Sequence, residues 1–149
     1  MKKLIFGLIA FIIIACNTKP NNQFELIGKT KDILDGTVLY LENTSSGTAI
    51  DSAVVENNSF HFKTDLTKTP VQVVLNTKDF SHYRFLWLEN NPMTFDATNS
   101  DFRNAIVTGS DEENLSYNLS IETETLPRDE RTQKEQEFVK LHPNSIHSA

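Results

Sequence analysis

Ala49-Ile50-Asp51-Ser52-Ala53-Val54-Val55, then Glu56-Asn57-Asn58, then Ser59-Phe60-His61-Phe62-Lys63 is the stretch on which the reading of the fold turns. In its second arm Phe60 and Phe62 alternate with His61 and Lys63, the period of two that sends one set to each face of a strand. Between the arms stand two asparagines, which tolerate the left-handed conformation of a tight turn. The stretch predicts two strands joined as a hairpin, with the phenylalanines facing a core.

Outward from it the pattern repeats. Phe24-Glu25-Leu26-Ile27-Gly28 opens the sheet, Asp35-Gly36 turns into Thr37-Val38-Leu39-Tyr40-Leu41, and Ser45-Ser46-Gly47 is the next break. Pro70 starts Val71-Gln72-Val73-Val74-Leu75, because proline lacks the ladder donor. Tyr83-Arg84-Phe85-Leu86-Trp87-Leu88 is the strongest run, apolar on both faces near its end, which predicts a central, covered strand. Asn90-Asn91-Pro92 closes it, and Met93 to Ala97 and Ala105 to Thr108 complete about eight strands before Gly109. Short strands at this spacing predict a mainly β fold, a small antiparallel sandwich.

The remainder reads as helix. Ser110-Asp111-Glu112-Glu113 has the Ser-x-x-Glu form of a capping box, so a helix is expected from about Asp111 to Ile121, with Leu115, Leu119 and Tyr117 on its buried side. Pro127 ends that segment. Arg128 to Leu141 is a second helix whose apolar residues, Phe138, Val139 and Leu141, all fall in its last turn, which leaves most of it solvated.

The N-terminus reads as an address. Met1-Lys2-Lys3 is a basic start, and Leu4 to Ala15 is twelve apolar or small residues, roughly 18 Å as a helix against a hydrocarbon core of about 30 Å. That is a secretory signal and not a membrane span. Ile13-Ile14-Ala15-Cys16 resembles the lipobox of bacterial lipoproteins, with cleavage between Ala15 and Cys16 and lipidation of Cys16, the only cysteine of the chain. The resemblance implies a membrane anchor through acyl chains on Cys16 and a domain in the cell envelope facing the periplasm, attached to the inner or the outer membrane. One cysteine provides neither an internal disulfide nor a Cys-x-x-Cys pair. The net charge is −6, and without Lys2 and Lys3 it is −8, with 12 basic against 20 acidic side chains, which argues against nucleic acid as a partner.

Chemistry-bearing residues are sparse. His61, His82, His142 and His147 have no metal-site spacing, and Pro143 prevents one helical face from presenting the last two. Asp51-Ser52 has no Gly-x-Ser-x-Gly elbow beside it, and the five glycines form no phosphate loop. No catalytic residue, metal or cofactor is expected. Tyr83, Phe85 and Trp87 are the one candidate binding set, a stacking platform for a glycan or peptide if their face is open; the apolar context of Leu86 and Leu88 favours core packing.

Taken together, Phe24-x-Leu26-x-Gly28, Asp35-Gly36-Thr37, Ile50-Asp51-Ser52-Ala53, Ser59-Phe60-x-Phe62, Pro70 and Gly109-Ser110 resemble a domain of unknown function that precedes the thioredoxin-like domain in lipid-anchored or periplasmic thiol-disulfide oxidoreductases. His142-Pro143-Asn144-Ser145 is similar to a segment that such proteins carry before their catalytic domain. The expected organisation is a signal peptide at 1–15, a lipidated cysteine and tether at 16–23, a β-sandwich at 24–109 and a helical tail at 110–149, truncated relative to that family. The resemblance implies a non-enzymatic accessory or docking domain whose partner is a thioredoxin-like domain or another envelope protein. The alternatives are the front part of a complete thiol-disulfide oxidoreductase and a ligand-binding lipoprotein.

Overall fold

A computed structural model of the chain describes residues 23–148. The expected signal peptide, the Ala15–Cys16 junction and the tether up to residue 22 lie outside the described residues. Gln23, assigned to the tether by sequence, already belongs to the first strand.

Eight strands, β1 (Gln23–Thr30), β2 (Val38–Asn43), β3 (Ala49–Val54), β4 (Ser59–Asp65), β5 (Val71–Thr77), β6 (Tyr83–Leu88), β7 (Pro92–Ala97) and β8 (Ile106–Thr108), form two four-stranded sheets. One sheet has the order β4-β1-β7-β8 and the other β3-β2-β5-β6. Every pairing is antiparallel except β1 with β7, which runs parallel from Glu25 opposite Pro92 to Thr30 opposite Ala97. Helices α1 (Asp111–Thr123) and α2 (Arg128–Leu141) follow, and 3₁₀ turns lie at Phe102–Asn104 and Ile146–Ser148. Among the described residues no helix is long and apolar enough to cross a membrane.

The core lies between the sheets and follows the alternation. Phe24 and Leu26 of β1, Phe60 and Phe62 of β4, and Met93 and Phe95 of β7 meet Leu39, Leu41, Val73, Leu75, Leu86 and Leu88 of the facing sheet. Phe60 packs edge-on against Phe62 and Phe95, with ring centroids 5.8 and 5.4 Å away, and Phe102 closes the cluster against Phe95 at 4.8 Å. Gly28, directly opposite Phe60, is the one position of β1 that can lie beneath that ring: a Cβ there would stand 2.0 Å from Phe60 Cζ.

The expected hairpin is a hairpin only at its tip. Asn57 and Asn58 both have positive φ, 51° and 57°, and Glu56 and Ser59 exchange backbone hydrogen bonds at 2.8 and 3.0 Å. Beyond the tip the arms part, β3 joining β2 in one sheet and β4 joining β1 in the other. The cause is Val55, fully buried, whose N–H donates to Thr37 O at 2.9 Å while its carbonyl accepts from Gly36 N at 2.8 Å. With its backbone groups taken by the loop before β2, Val55 cannot pair with β4, and the turn carries the chain across the sandwich.

A second expectation is also corrected. The run Tyr83–Leu88 lies at the edge of its sheet and not at its centre. Its apolar density reflects different neighbours on its two faces, the core under Leu86 and Leu88 and the C-terminal segment against Trp87.

Candidate functional site

Of the sequence-predicted platform residues, Tyr83, Phe85 and Trp87 alternate with the buried Leu86 and Leu88 and therefore face away from the core. Phe85 is 49% exposed, so core packing is not its role. Tyr83 and Phe85 meet edge-on with centroids 6.0 Å apart. Trp87 has a different neighbour: its ring packs edge-on against His147 of the C-terminal segment at 5.0 Å. Ser145 Oγ holds that segment by donating to Glu112 Oε2 at 2.7 Å.

The backbone of β6 has one side without a strand neighbour. Thr77 N donates to His82 O at 2.9 Å, which makes Thr77 and His82 a hydrogen-bonded pair of the antiparallel ladder with β5. Such pairs alternate, so the N–H and C=O groups of Tyr83, Phe85 and Trp87 point away from β5. Two contacts agree with this: Trp87 N donates to Glu113 Oε2 at 3.0 Å, and Phe85 O accepts from Arg84 Nη1.

Glu113 comes from the first turn of α1, where the sequence predicts a reciprocal capping box. Half of the box forms, with Ser110 Oγ accepting from Glu113 N at 3.0 Å. The carboxylate turns to the sheet instead, taking Trp87 N and Arg84 Nη2, the latter at 2.7 Å. Glu89, just past β6, accepts from the Asp111 and Glu112 amides, so each element satisfies donors of the other. Burial pushes the Glu113 carboxyl above its ordinary value, opposed by the charge of Arg84 and the Trp87 N–H. The buried residues of α1 are accordingly Glu113 and Thr123, while Leu115 and Leu119 are half-buried and Tyr117 is exposed, a correction of the expected apolar flank.

Past Glu113, residues of α1 and β6 line a groove of about 860 Å³. β6 contributes Tyr83, Arg84 and Phe85 to its lining, the loop before β8 Arg103 and Ala105, α1 Tyr117 and Ile121, and α2 Arg131. Tyr117 and Ile121 are about as exposed as Phe85. The Arg103 guanidinium lies 5.3 Å from the Tyr83 ring centroid, a cation–π distance. Sequence reasoning found Tyr83 and Phe85 and missed the rest, because Arg103, Tyr117 and Arg131 come from separate elements and share no motif.

A second groove, of about 840 Å³, lies over Leu34, Val38 and Tyr40 and ends at the turn after β5. There Ser81 Oγ is 2.8 Å from Asp79 Oδ1 and 3.1 Å from His82 Nδ1, while Thr77 Oγ1 donates to the same Asp79 oxygen at 2.8 Å. These donors lower the Asp79 carboxyl to about 2. The residues are those of a triad but the connectivity is not, because the aspartate bonds to the serine and not to the imidazole. His61 pairs with Glu25 at 2.9 Å on the outer face of its sheet, His142 packs against Phe138 with the rings tilted by 40°, and Asp51 accepts from the adjacent Ser52 amide. Among the described residues no three His, Cys, Asp or Glu side chains gather as a metal site.

A family model described as a domain of unknown function, DUF4369, matches residues 24–115. The chain belongs to this family. The DUF4369 match takes in the eight strands from Phe24 on and the first turn of α1, including Arg84, Arg103 and Glu113, and ends before Tyr117, Ile121 and Arg131. Comparison with curated proteins and with solved structures finds no match.

Proposed function

We propose that this DUF4369 chain is a lipid-anchored, non-catalytic accessory domain of the bacterial cell envelope that acts by docking through the groove beside β6. The observation that carries the docking reading is the convergence of exposed Phe85, Tyr117 and Ile121 with Arg103 and Arg131 at that groove. Apolar side chains rimmed by cations, on a chain of net charge −6, have the make-up of an interaction surface. Anchoring rests on the sequence, on the apolar run ending at Ala15 and on Cys16 as the acylation site. Its partners are the membrane, through that lipid, and a thioredoxin-like domain or another envelope protein.

Site-specific photocrosslinking in cells tests the docking reading. A photoreactive residue at Phe85 or Ile121 is expected to give discrete crosslinked species, and one at Lys29, on the outer face of the other sheet, is not; equal patterns at all three positions overturn it. Fatty-acid labelling that persists in Cys16→Ser removes the anchor. Measurable dithiol turnover by the purified chain removes the non-catalytic assignment.

A second reading, the front part of a thiol-disulfide oxidoreductase, is favoured by the way Ser145 and His147 fix the segment that resembles an inter-domain link. Genomic sequence past the Ala149 codon decides it: a following frame with Cys-x-x-Cys supports this reading, and an unrelated gene after a stop removes it.

A further inference from the structure

We propose that the open half of the β6 edge receives an acidic, extended peptide segment as an added strand. The proposal rests on the docking reading above and specifies its partner.

The edge is divided in two. At its Trp87 end Glu113 occupies the outward N–H, and α1 begins alongside. At its other end the outward N–H and C=O of Tyr83 and the N–H of Phe85 lie on the groove side of the strand beside the 3₁₀ turn Phe102–Asn104, three backbone groups for a short ladder. A strand laid there sends alternate side chains to opposite sides, where Phe85 and the Tyr117–Ile121 wall offer apolar contact.

Charge selects the sequence of the partner. The chain has four arginines against 20 acidic residues, and three of the four, Arg84, Arg103 and Arg131, line this one groove. Arg84 is committed to Glu113. Arg103 and Arg131 take part in no ion pair among the described residues, and Glu124 is the one acidic residue of the lining. A segment carrying Asp or Glu at alternate positions presents carboxylates to both arginines while its backbone pairs with Tyr83 and Phe85. A basic segment meets repulsion in the same place.

The test uses the 149-residue chain and fluorescein-labelled nonapeptides of alternating Val and Glu, of alternating Val and Lys, and of Val and Glu with alternate backbone nitrogens methylated. The Val-Glu peptide is expected to bind saturably and to slow hydrogen exchange at the Tyr83 and Phe85 amides. Introducing Arg103→Glu with Arg131→Glu is expected to weaken binding at least about tenfold, the scale of one lost charge-assisted hydrogen bond, and methylating the peptide backbone, which removes several neutral N–H donors, is expected to weaken it to a similar degree. Both arginines are exposed, so circular dichroism of the double variant is expected to match the parent. Undiminished binding of the methylated peptide overturns strand addition, and equal binding of the lysine peptide overturns the acidic preference. Absence of binding, preferential binding to vesicles of anionic lipid, or dimerisation of the chain through β6 each overturns the proposal as well. Failure here together with discrete crosslinks from Phe85 in cells removes the acidic strand and leaves the docking reading standing; failure of both removes the docking reading.

Discussion

Glu113 accepts the backbone N–H of Trp87 at 3.0 Å, so the first turn of α1 is bonded to the edge of β6 through a side chain whose usual partner would be its own helix cap. The same carboxylate, its side chain 4% exposed, holds Arg84, whose side chain is 20% exposed, at 2.7 Å. Removing one partner of a buried, hydrogen-bonded pair strands the other.

Glu113→Ala is therefore expected to lower stability by about 3 kcal/mol, within the range for breaking a buried ion pair, and to free the α1 terminus from β6. Urea unfolding followed by Trp87 emission measures both effects. A loss below about 1 kcal/mol, the level of an exposed pair, would show that the contact is not a fixed one.

Glu113 also sets a pH dependence with a defined sign. Burial raises its carboxyl in the folded chain, so the folded state binds the proton more tightly than the unfolded state. Stability falls as pH rises from the ordinary carboxylate range through the raised value. The difference in unfolding midpoint between parent and Glu113→Gln is expected to shift against the parent as pH rises out of the ordinary carboxylate range and through the raised value. A constant difference across that range contradicts the assignment.

Gly28→Ala places a Cβ into the Phe60 ring and is expected to cost about 1–3 kcal/mol, as overpacking does. Combining it with Phe60→Leu vacates the space above residue 28, so the double variant is expected to be more stable than the two single losses predict. Strict additivity would mean that the ring and the glycine do not share that volume.

Ser110→Ala removes the acceptor of the Glu113 amide at a fully buried position and is expected to cost about 1 kcal/mol. Ser110→Asp keeps an acceptor but adds charge beside Glu89 and Glu113, so it is expected to rescue less than a neutral Asn does. Thermal melts of the three variants rank them.

Much of the fold was legible in the sequence because it is local. The alternation at Phe60 and Phe62, the left-handed tolerance of Asn57 and Asn58, the Ser110 cap and the span Arg128–Leu141 depend on neighbours within a few residues. What escaped depends on partners chosen across the chain. Nothing around Glu25 or Pro92 states that their strands pair in parallel, and nothing around Val55 states that the loop before β2 takes its backbone. Tyr83 and Phe85 were visible as aromatic residues. Their exposure was not, because it follows from β6 being an edge, a property of the sheet order and not of the run itself.

The placement of β1 has a mechanical consequence. It lies between β4 and β7, paired with one from Gln23 to Lys29 and with the other from Glu25 to Thr30. A pull entering at Gln23 along the strand axis loads both ladders in shear, the perpendicular bonds of the antiparallel β1–β4 ladder and the slanted bonds of the parallel β1–β7 ladder, so they resist together and do not open one after another. An edge strand such as β8, bonded on one flank, would unzip under a pull across its axis. A force applied at Gln23 along β1 therefore meets two ladders at once, whereas one applied to β8 meets one.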